Sequence, residues 1–189
     1  TRTSKQHIHS VFETPVAENL ITRRNLLKTA ALTTGMLAAL PGMSWAASSE
    51  SAYSQELTEL LNLALQHEYG AVVQYSNHAG LLCHWVDQDP AMTIQAVIAD
   101  EVDHAVTLTR FLSQSGAKPT LAVWPPQTGD SPARVINQDI AAEQSAISLY
   151  SRILELDLDP ELGKVIETII EAEQSHKKVF EGLAQEIRS

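Results

Sequence analysis

Cysteine is nearly absent from this sequence, since Cys83 is the only one among 189 residues. A single cysteine cannot form a disulfide within the chain, and it cannot build a cysteine-rich zinc site or an iron–sulfur site. Any metal that the chain binds must therefore be held by oxygen and nitrogen ligands.

Aromatic residues, glycine, proline and positive charge are also scarce. Aromatic residues make up 5% of the chain, which has 8 glycines and 8 prolines, whereas 44% of the residues are hydrophobic. This composition favours helices over sheets and suffices for one core. Lys and Arg number 13 against 23 Asp and Glu, a net charge of −10. Such a charge argues against nucleic-acid binding and suits the attraction of cations, although a solvated acidic surface has the same composition.

A run of apolar residues long enough to cross a membrane is missing as well. The apolar stretch 29–40 has 12 residues and ends before Pro41, whereas a helix needs about 20 apolar residues to span a bilayer. We therefore expect no stable membrane span, and an uncleaved anchor is the less favoured alternative.

The residues around this stretch follow the order charged, apolar, small, which is typical of an export signal. Arg23 and Arg24 precede the stretch, and Ala46 follows it. The segment resembles a twin-arginine signal, with leucine at the position where that pattern usually has phenylalanine. The sequence thus predicts a disordered N-terminal region and signal over 1–46, cleavage after Ala46, a domain over 47–189 and a periplasmic location.

Apolar residues recur at alternating steps of three and four along four segments, as in helices packed into a bundle. The first helix is predicted to start near Ser54, the second to run from about Ala91 to Ser115, and the fourth to start at Pro160. The predicted apolar core positions are Leu57, Leu61, Ala64, Ala71, Leu82, Ile94, Val97, Leu108, Phe111, Ile136, Ile140, Ile147, Leu154, Ile166, Ile169, Phe180, Leu183 and Ile187.

The connection between the second and third helices is long and rich in proline. The segment 116–132 contains four prolines and two glycines, so neither a helix nor a central strand is expected there. About 15 extended residues at about 3.3 Å each reach about 50 Å, which exceeds the length of a helix of about 25 residues. This segment can therefore cross the whole bundle and start the third helix at the same end as the second. The segment 83–90 is predicted to be a short turn.

Six polar residues interrupt the apolar core positions. Glu101 and His104 lie three residues apart in the second helix, and Glu173 and His176 repeat this spacing in the fourth. The first and third helices each contribute one glutamate, Glu68 and Glu143. A bare carboxylate buried in a core costs several kcal/mol, so the pattern predicts bound cations. Two divalent ions would balance the four carboxylates, and this oxygen-rich set suits iron or manganese better than a structural zinc.

From Ser54 to the C-terminus the pattern resembles the ferritin-like di-iron carboxylate proteins, a superfamily that includes bacterioferritins and rubrerythrins. The resemblance implies an all-α, ferritin-like four-helix bundle with a long crossover between helices two and three. It also implies two iron ions, with manganese as the alternative. The ligands carried over by resemblance are Glu101 and Glu173 as the bridging pair, Glu68 with His104 at one metal, and Glu143 with His176 at the other.

The sequence departs from particular members of that superfamily. Bacterioferritins have a haem-ligating methionine directly after the glutamate of helix two, and here that position is Val102, so haem is not expected. The Cys-x-x-Cys pairs of rubrerythrins are missing. Because no fifth helix is evident before Ser189, a 24-subunit cage is not implied, and we expect a homo-oligomer of two or more copies.

Several residues near the predicted ligands have two interpretations. Tyr75 and Tyr150 follow Glu68 and Glu143 by seven residues, and they could hydrogen-bond a ligand or relay an electron, although core packing is favoured. His67 is predicted to lie on the surface. His78 is predicted to be a satisfied core histidine. Three acids could orient a ligand imidazole, and the sequence does not distinguish among them: Asp100, Asp103 and Asp139.

The resemblance implies an exported dinuclear metal protein that acts in iron oxidation, iron handling or the reduction of O2 or peroxide, as a ferroxidase or peroxidase-type oxidoreductase does. A peroxide-consuming enzyme with manganese is an alternative of the same architecture. An alternative from a different class is a non-catalytic helical-bundle subunit of a periplasmic complex. The expected partners are metal ions and O2 or peroxide, and no organic substrate is indicated.

Overall fold

The structure, a computed structural model, describes residues 51–86 and 90–188. These residues form four α-helices and no strand, which confirms the predicted all-α four-helix bundle. The helices are α1 (Gln55–Trp85), α2 (Ala91–Gln114), α3 (Pro132–Leu154) and α4 (Pro160–Glu186). The predicted export signal and its cleavage site lie outside the described residues.

The helix ends follow local sequence signals. The Ser54 hydroxyl accepts a hydrogen bond from the backbone N–H of Leu57 (3.1 Å) and caps α1. Asp159 caps α4 in the same way, with Pro160 in its first turn, where a proline has no backbone hydrogen bond to lose. Gly116, with a φ of 85°, follows the end of α2 in the left-handed conformation that glycine tolerates best.

The first helix is longer than predicted. The predicted turn was to begin at Cys83, but α1 continues to Trp85. Leu82 is fully buried, and Trp85 packs against the same apolar cluster. Because these two side chains lie three residues apart, continuing the helix buries both on one face.

The four helices form two antiparallel hairpins, α1 with α2 and α3 with α4. The start of α1 meets the end of α2, where the backbone N–H of Ala52 donates to the carbonyl of Ser115 (2.8 Å). The hairpins pack so that α1 lies against α3 and α2 against α4. Glu68 of α1 contacts Tyr150 of α3, and Gln74 contacts Asp139, so α1 and α3 are antiparallel.

The segment 115–131 runs along α1 from its first half to its last turns. Its backbone N–H groups donate to α1 at three heights: Thr120 to Asn62 Oδ1 (2.7 Å), Trp124 to Gln66 O (2.9 Å) and Gln127 to Gln74 Oε1 (2.8 Å). Helix α3 therefore starts at the same end of the bundle as α2, which confirms the predicted long crossover.

Two apolar clusters fill the bundle on either side of its middle. One cluster includes Leu61 and Leu108, and the other includes Leu82 and Phe180. The polar core residues lie between the two clusters, which shield them from water at both ends. Among the described residues, no helix is long and apolar enough to cross a membrane.

The predicted core stripe of α3 is partly wrong. Ile136, Glu143 and Tyr150 are buried as predicted, but Ile140, Ile147 and Leu154 are only half-buried. Their preceding neighbours are buried instead: Asp139, Ala146 and Ile153. Asp139 can occupy a core position because it has a buried histidine partner. A pattern built from apolar residues alone passes over this aspartate and therefore places the buried face of α3 one residue too late.

Gly70 is required where the crossover passes closest to α1. A Cβ atom at this buried position would lie 2.8 Å from the carbonyl oxygen and 3.0 Å from the Cβ of Trp124. At Gly80 of the same helix, which is exposed, a Cβ atom would meet nothing within 4 Å. Alanine substitutions at the two glycines can therefore be compared, with Gly80 as the control for Gly70.

We expect Gly70→Ala to lower the free energy of unfolding by about 1–3 kcal/mol, because the added methyl overpacks the contact with the crossover backbone. Gly80→Ala should raise it by up to about 1 kcal/mol, because alanine favours an exposed helix interior. Urea denaturation followed by circular dichroism measures both values. Equal stabilisation by the two substitutions would contradict this account of the crossover.

Candidate metal centre

The four core glutamates meet at mid-height in the bundle, one from each helix. Each is at most 1% exposed. Two imidazoles, from α2 and α4, complete two overlapping groups whose ligand atoms lie within 4.8 Å of one another. The first group is Glu68, Glu101, His104 and Glu173, and the second is Glu101, Glu143, Glu173 and His176.

The first group converges on His104. Its Nδ1 lies 3.0 Å from Glu173 Oε1, 3.4 Å from Glu68 Oε2 and 3.5 Å from Glu101 Oε2. None of these contacts has the geometry of a hydrogen bond, since Nδ1 is buried without a hydrogen-bonding partner.

The second group converges on His176. Its Nδ1 lies 3.1 Å from Glu101 Oε1 and 3.4 Å from Glu173 Oε2. Glu101 and Glu173 thus direct one oxygen each toward each imidazole. This disposition is the one required of two carboxylates that bridge two cations.

The site contains buried polar atoms that the described residues leave without hydrogen bonds. They are Glu68 Oε2, Glu101 Oε1, His104 Nδ1, Glu143 Oε1 and Glu173 Oε1. An unpaired buried polar atom costs about 1–3 kcal/mol, so five in one cluster call for a shared partner. Hard carboxylate oxygens with one imidazole per group fit a pair of divalent ions such as iron or manganese.

Burial and the neighbouring carboxylates shift the pKa of these groups strongly. Burial, together with the neighbouring Glu173, raises the pKa of Glu143 to about 12. Burial acts to lower the pKa of both histidines, but Glu101 and Glu173 outweigh it and raise the pKa of His104 to about 12 and that of His176 to about 10. Protons on these groups offset part of the negative charge, and two divalent ions could offset it in the same place.

The two tyrosines approach the two terminal glutamates. The Tyr150 hydroxyl donates to Glu68 Oε1 (2.5 Å), and burial raises the pKa of Tyr150 well above its usual value, which keeps the hydroxyl protonated. The ring of Tyr75 packs against Phe180, with ring centroids 4.9 Å apart. Burial, together with the neighbouring Glu143, raises the pKa of Tyr75 well above its usual value. The Tyr75 hydroxyl is buried without a partner in hydrogen-bonding geometry among the described residues.

Of the three acids that could orient an imidazole, only Asp100 contacts one of the site histidines. Its Oδ2 accepts a hydrogen bond from His176 Nε2 (3.1 Å). Asp103 is exposed. Asp139 is fully buried away from these imidazoles and is bonded to His78 Nδ1 (2.6 Å).

His78 is a satisfied core histidine, as predicted, because its Nε2 also bonds the carbonyl of Gln127 (2.9 Å). The surface prediction for His67 is wrong, since this residue is 7% exposed. Its ring lies beneath Trp124 of the crossover, with ring centroids 6.1 Å apart. The angle of His67 around α1 does point it away from the bundle core. In the sequence, the only signal for the burial of His67 is Trp124, an aromatic residue in a connection long enough to cover the helix.

Comparison with known proteins identifies the family to which this arrangement belongs. A model of the ferritin-like domain matches residues 58–189. The chain belongs to the ferritin-like domain family. A bacterioferritin from Desulfovibrio desulfuricans is 26% identical over 138 residues, which cover 71% of this chain and 77% of that relative.

Solved structures agree with the ferritin-like fold. The X-ray structure of the Desulfovibrio desulfuricans bacterioferritin, which describes its diiron site in different catalytic states, is similar with a TM-score of 0.66, covering 70% of this chain and 80% of that one. A ferritin-like diiron-carboxylate protein from Bacillus anthracis (24% identity, TM-score 0.62) covers 70% and 99% of the two chains. A Mycobacterium tuberculosis bacterioferritin (20% identity, TM-score 0.67) covers 72% and 88%. The last two likenesses show the fold alone.

Proposed function

We propose that this ferritin-like chain is a dinuclear iron protein that oxidises Fe(II) in iron handling, with O2 or peroxide as the electron acceptor. The observation that carries the proposal is the pair of overlapping Glu/His groups that share Glu101 and Glu173. The relative from Desulfovibrio desulfuricans, whose structure describes a diiron site in catalytic states, supports iron over manganese.

Glu101 and Glu173 would bridge the two ions, while each remaining glutamate and histidine would serve one ion. Iron bound there would supply one electron per ion to the oxidant. The chain holds Glu68 in place through Tyr150, and apolar clusters above and below keep bulk water out. A groove between α2 and α4 reaches His104, whose side chain is 11% exposed, and offers ions and small oxidants a way in.

We expect Glu143→Gln to bind at most one iron ion per chain. Loss of a residue that only supports a metal ligand typically costs about 10–100-fold. Because Glu143 is itself a proposed ligand, its substitution should slow Fe(II) oxidation by more than that. Glu171→Gln, an exposed glutamate on α4, should leave both unchanged. Stopped-flow absorbance of Fe(III) and elemental analysis give the two values. Oxidation by Glu143→Gln at the unaltered rate would contradict the proposal. If the unaltered chain binds only manganese and consumes peroxide, the result would instead support the alternative, a peroxide-consuming manganese enzyme.

We propose that the chain associates with a second copy of itself through an uncharged face of α1, α2 and the crossover. A groove of about 610 Å³ opens there, lined by Tyr69, Val72, Val73, Val102, Ala105, Val106, Thr109, Leu121 and Val123. Val106 is 63% exposed and Leu121 86%, and contiguous exposed apolar surface of this kind marks interaction sites. Two chains that each carry a net charge of −10 repel each other least where neither presents a charged side chain. Leu121 of each copy can then fill the groove of its partner in a two-fold arrangement.

A charge in this groove should separate the copies. We expect Val106→Asp to be a monomer at concentrations where the unaltered protein is a dimer or larger, because pairing would bury an unpaired carboxylate. Met92→Asp, at an apolar position of α2 that is 80% exposed and outside the groove, should keep the assembly. Native mass spectrometry distinguishes the two results. Assembly of Val106→Asp would show that copies meet elsewhere.

We also propose export to the periplasm by the twin-arginine route, supported by Arg23, Arg24 and the apolar stretch 29–40. This route carries folded proteins, so a metal could be loaded before export. We expect Arg23→Lys/Arg24→Lys to retain the chain in the cytoplasm, whereas Arg2→Lys is exported normally. Fractionation of a bacterial host followed by immunoblotting measures this, and periplasmic accumulation of the double variant would refute the assignment.

A further inference from the structure

The two halves of the site are related by a repeat but differ next to the bridging glutamates. Positions in α2 correspond to positions 72 residues later in α4, as Glu101 does to Glu173. The residue before the glutamate is Asp100 in α2, whereas it is Ala172 in α4. A carboxylate is therefore present in one half and missing from the corresponding place in the other.

This difference reaches the imidazoles, because each of these positions faces the histidine of the opposite helix. Asp100 accepts a hydrogen bond from Nε2 of His176 (3.1 Å). Ala172 has no group that could do the same for His104. Within residues 51–86 and 90–188, His104 Nε2 has no hydrogen-bonding partner. Both Ala172 and His104 line the groove of about 410 Å³ between α2 and α4.

The contact with Asp100 decides which nitrogen of His176 can bind an ion. When Nε2–H donates to the carboxylate, the neutral imidazole that binds an ion has its lone pair on Nδ1, which lies 3.1 Å from Glu101 Oε1 and 3.4 Å from Glu173 Oε2. A carboxylate behind an imidazole fixes its orientation and makes it a stronger ligand. The imidazole of His104 has neither advantage.

The tyrosines add a difference in the same direction. Tyr150 donates to Glu68 Oε1 (2.5 Å), and a hydrogen bond donated to a carboxylate makes it less basic. The Tyr75 hydroxyl has no partner in hydrogen-bonding geometry. The terminal carboxylate beside His104 is therefore held by a hydrogen bond from a tyrosine, whereas the one beside His176 is not held in this way.

We propose that the two metal positions differ in affinity and that Asp100 is the positioning residue that creates the difference. This inference rests on the proposed function. The position formed by Glu143 and His176 binds the first ion and holds it. The position formed by Glu68 and His104, open to the groove, binds the second ion and exchanges it with solvent.

Titration of the metal-free full chain with Co²⁺ by isothermal calorimetry tests this, because cobalt binds such ligands and is not oxidised by air. We expect two steps whose dissociation constants differ by about 10–100-fold. Asp100→Ala should weaken the tighter step by a similar factor and leave the weaker step unchanged. Asp100→Asn should retain part of that affinity, because the amide oxygen still accepts the hydrogen bond. Ala172→Asp should strengthen the weaker step.

Asp103→Ala is the matched control, since it removes an exposed negative charge that lines the same groove without contacting an imidazole. It should leave both steps unchanged, and thermal melts should show every variant folded. Two equal steps in the unaltered chain, or equal effects of Asp103→Ala and Asp100→Ala, would overturn the inference and leave the proposed function standing. Failure of the unaltered chain to bind Co²⁺ would overturn both.

Discussion

Four carboxylates buried at the centre of one helical bundle are the constraint on which the rest of this structure depends. Each glutamate is at most 1% exposed, and together they would place four negative charges in a medium that solvates charge poorly. Protons held by the two histidines and by Glu143 offset part of that charge. The convergence of unpaired oxygens on two common points fits a pair of cations, which would complete the balance.

The crossover makes this convergence possible. It allows α3 to start at the same end of the bundle as α2, so that the second hairpin repeats the first and presents its own glutamates and histidine to the same centre. Its attachment is itself polar, since Gln74 and His78 of α1 both bond Asp139 of α3 and also bond the backbone of Gln127. Gly70, two residues after Glu68, allows the crossover to lie against α1 close to the candidate metal centre.

Much of this architecture can be predicted from the sequence, because a helical repeat of 3.6 residues determines which residues share a face. The spacing of Glu101 and His104 predicts that they point to the core together, and the structure brings them to Glu68 as expected. Contacts made by irregular segments cannot be predicted in this way. His67 is buried by a loop that has no period, and the choice of Asp100 over Asp103 depends on how α4 packs against α2.

The most direct test of the account is the metal content of the full chain. The protein is incubated with Fe(II) without oxygen, freed of unbound ions and analysed for iron per chain, beside a variant in which Glu101 and Glu173 are both glutamine. The account predicts two iron ions per chain for the unaltered protein and none for the variant. A folded, unaltered chain that retains no iron would contradict it.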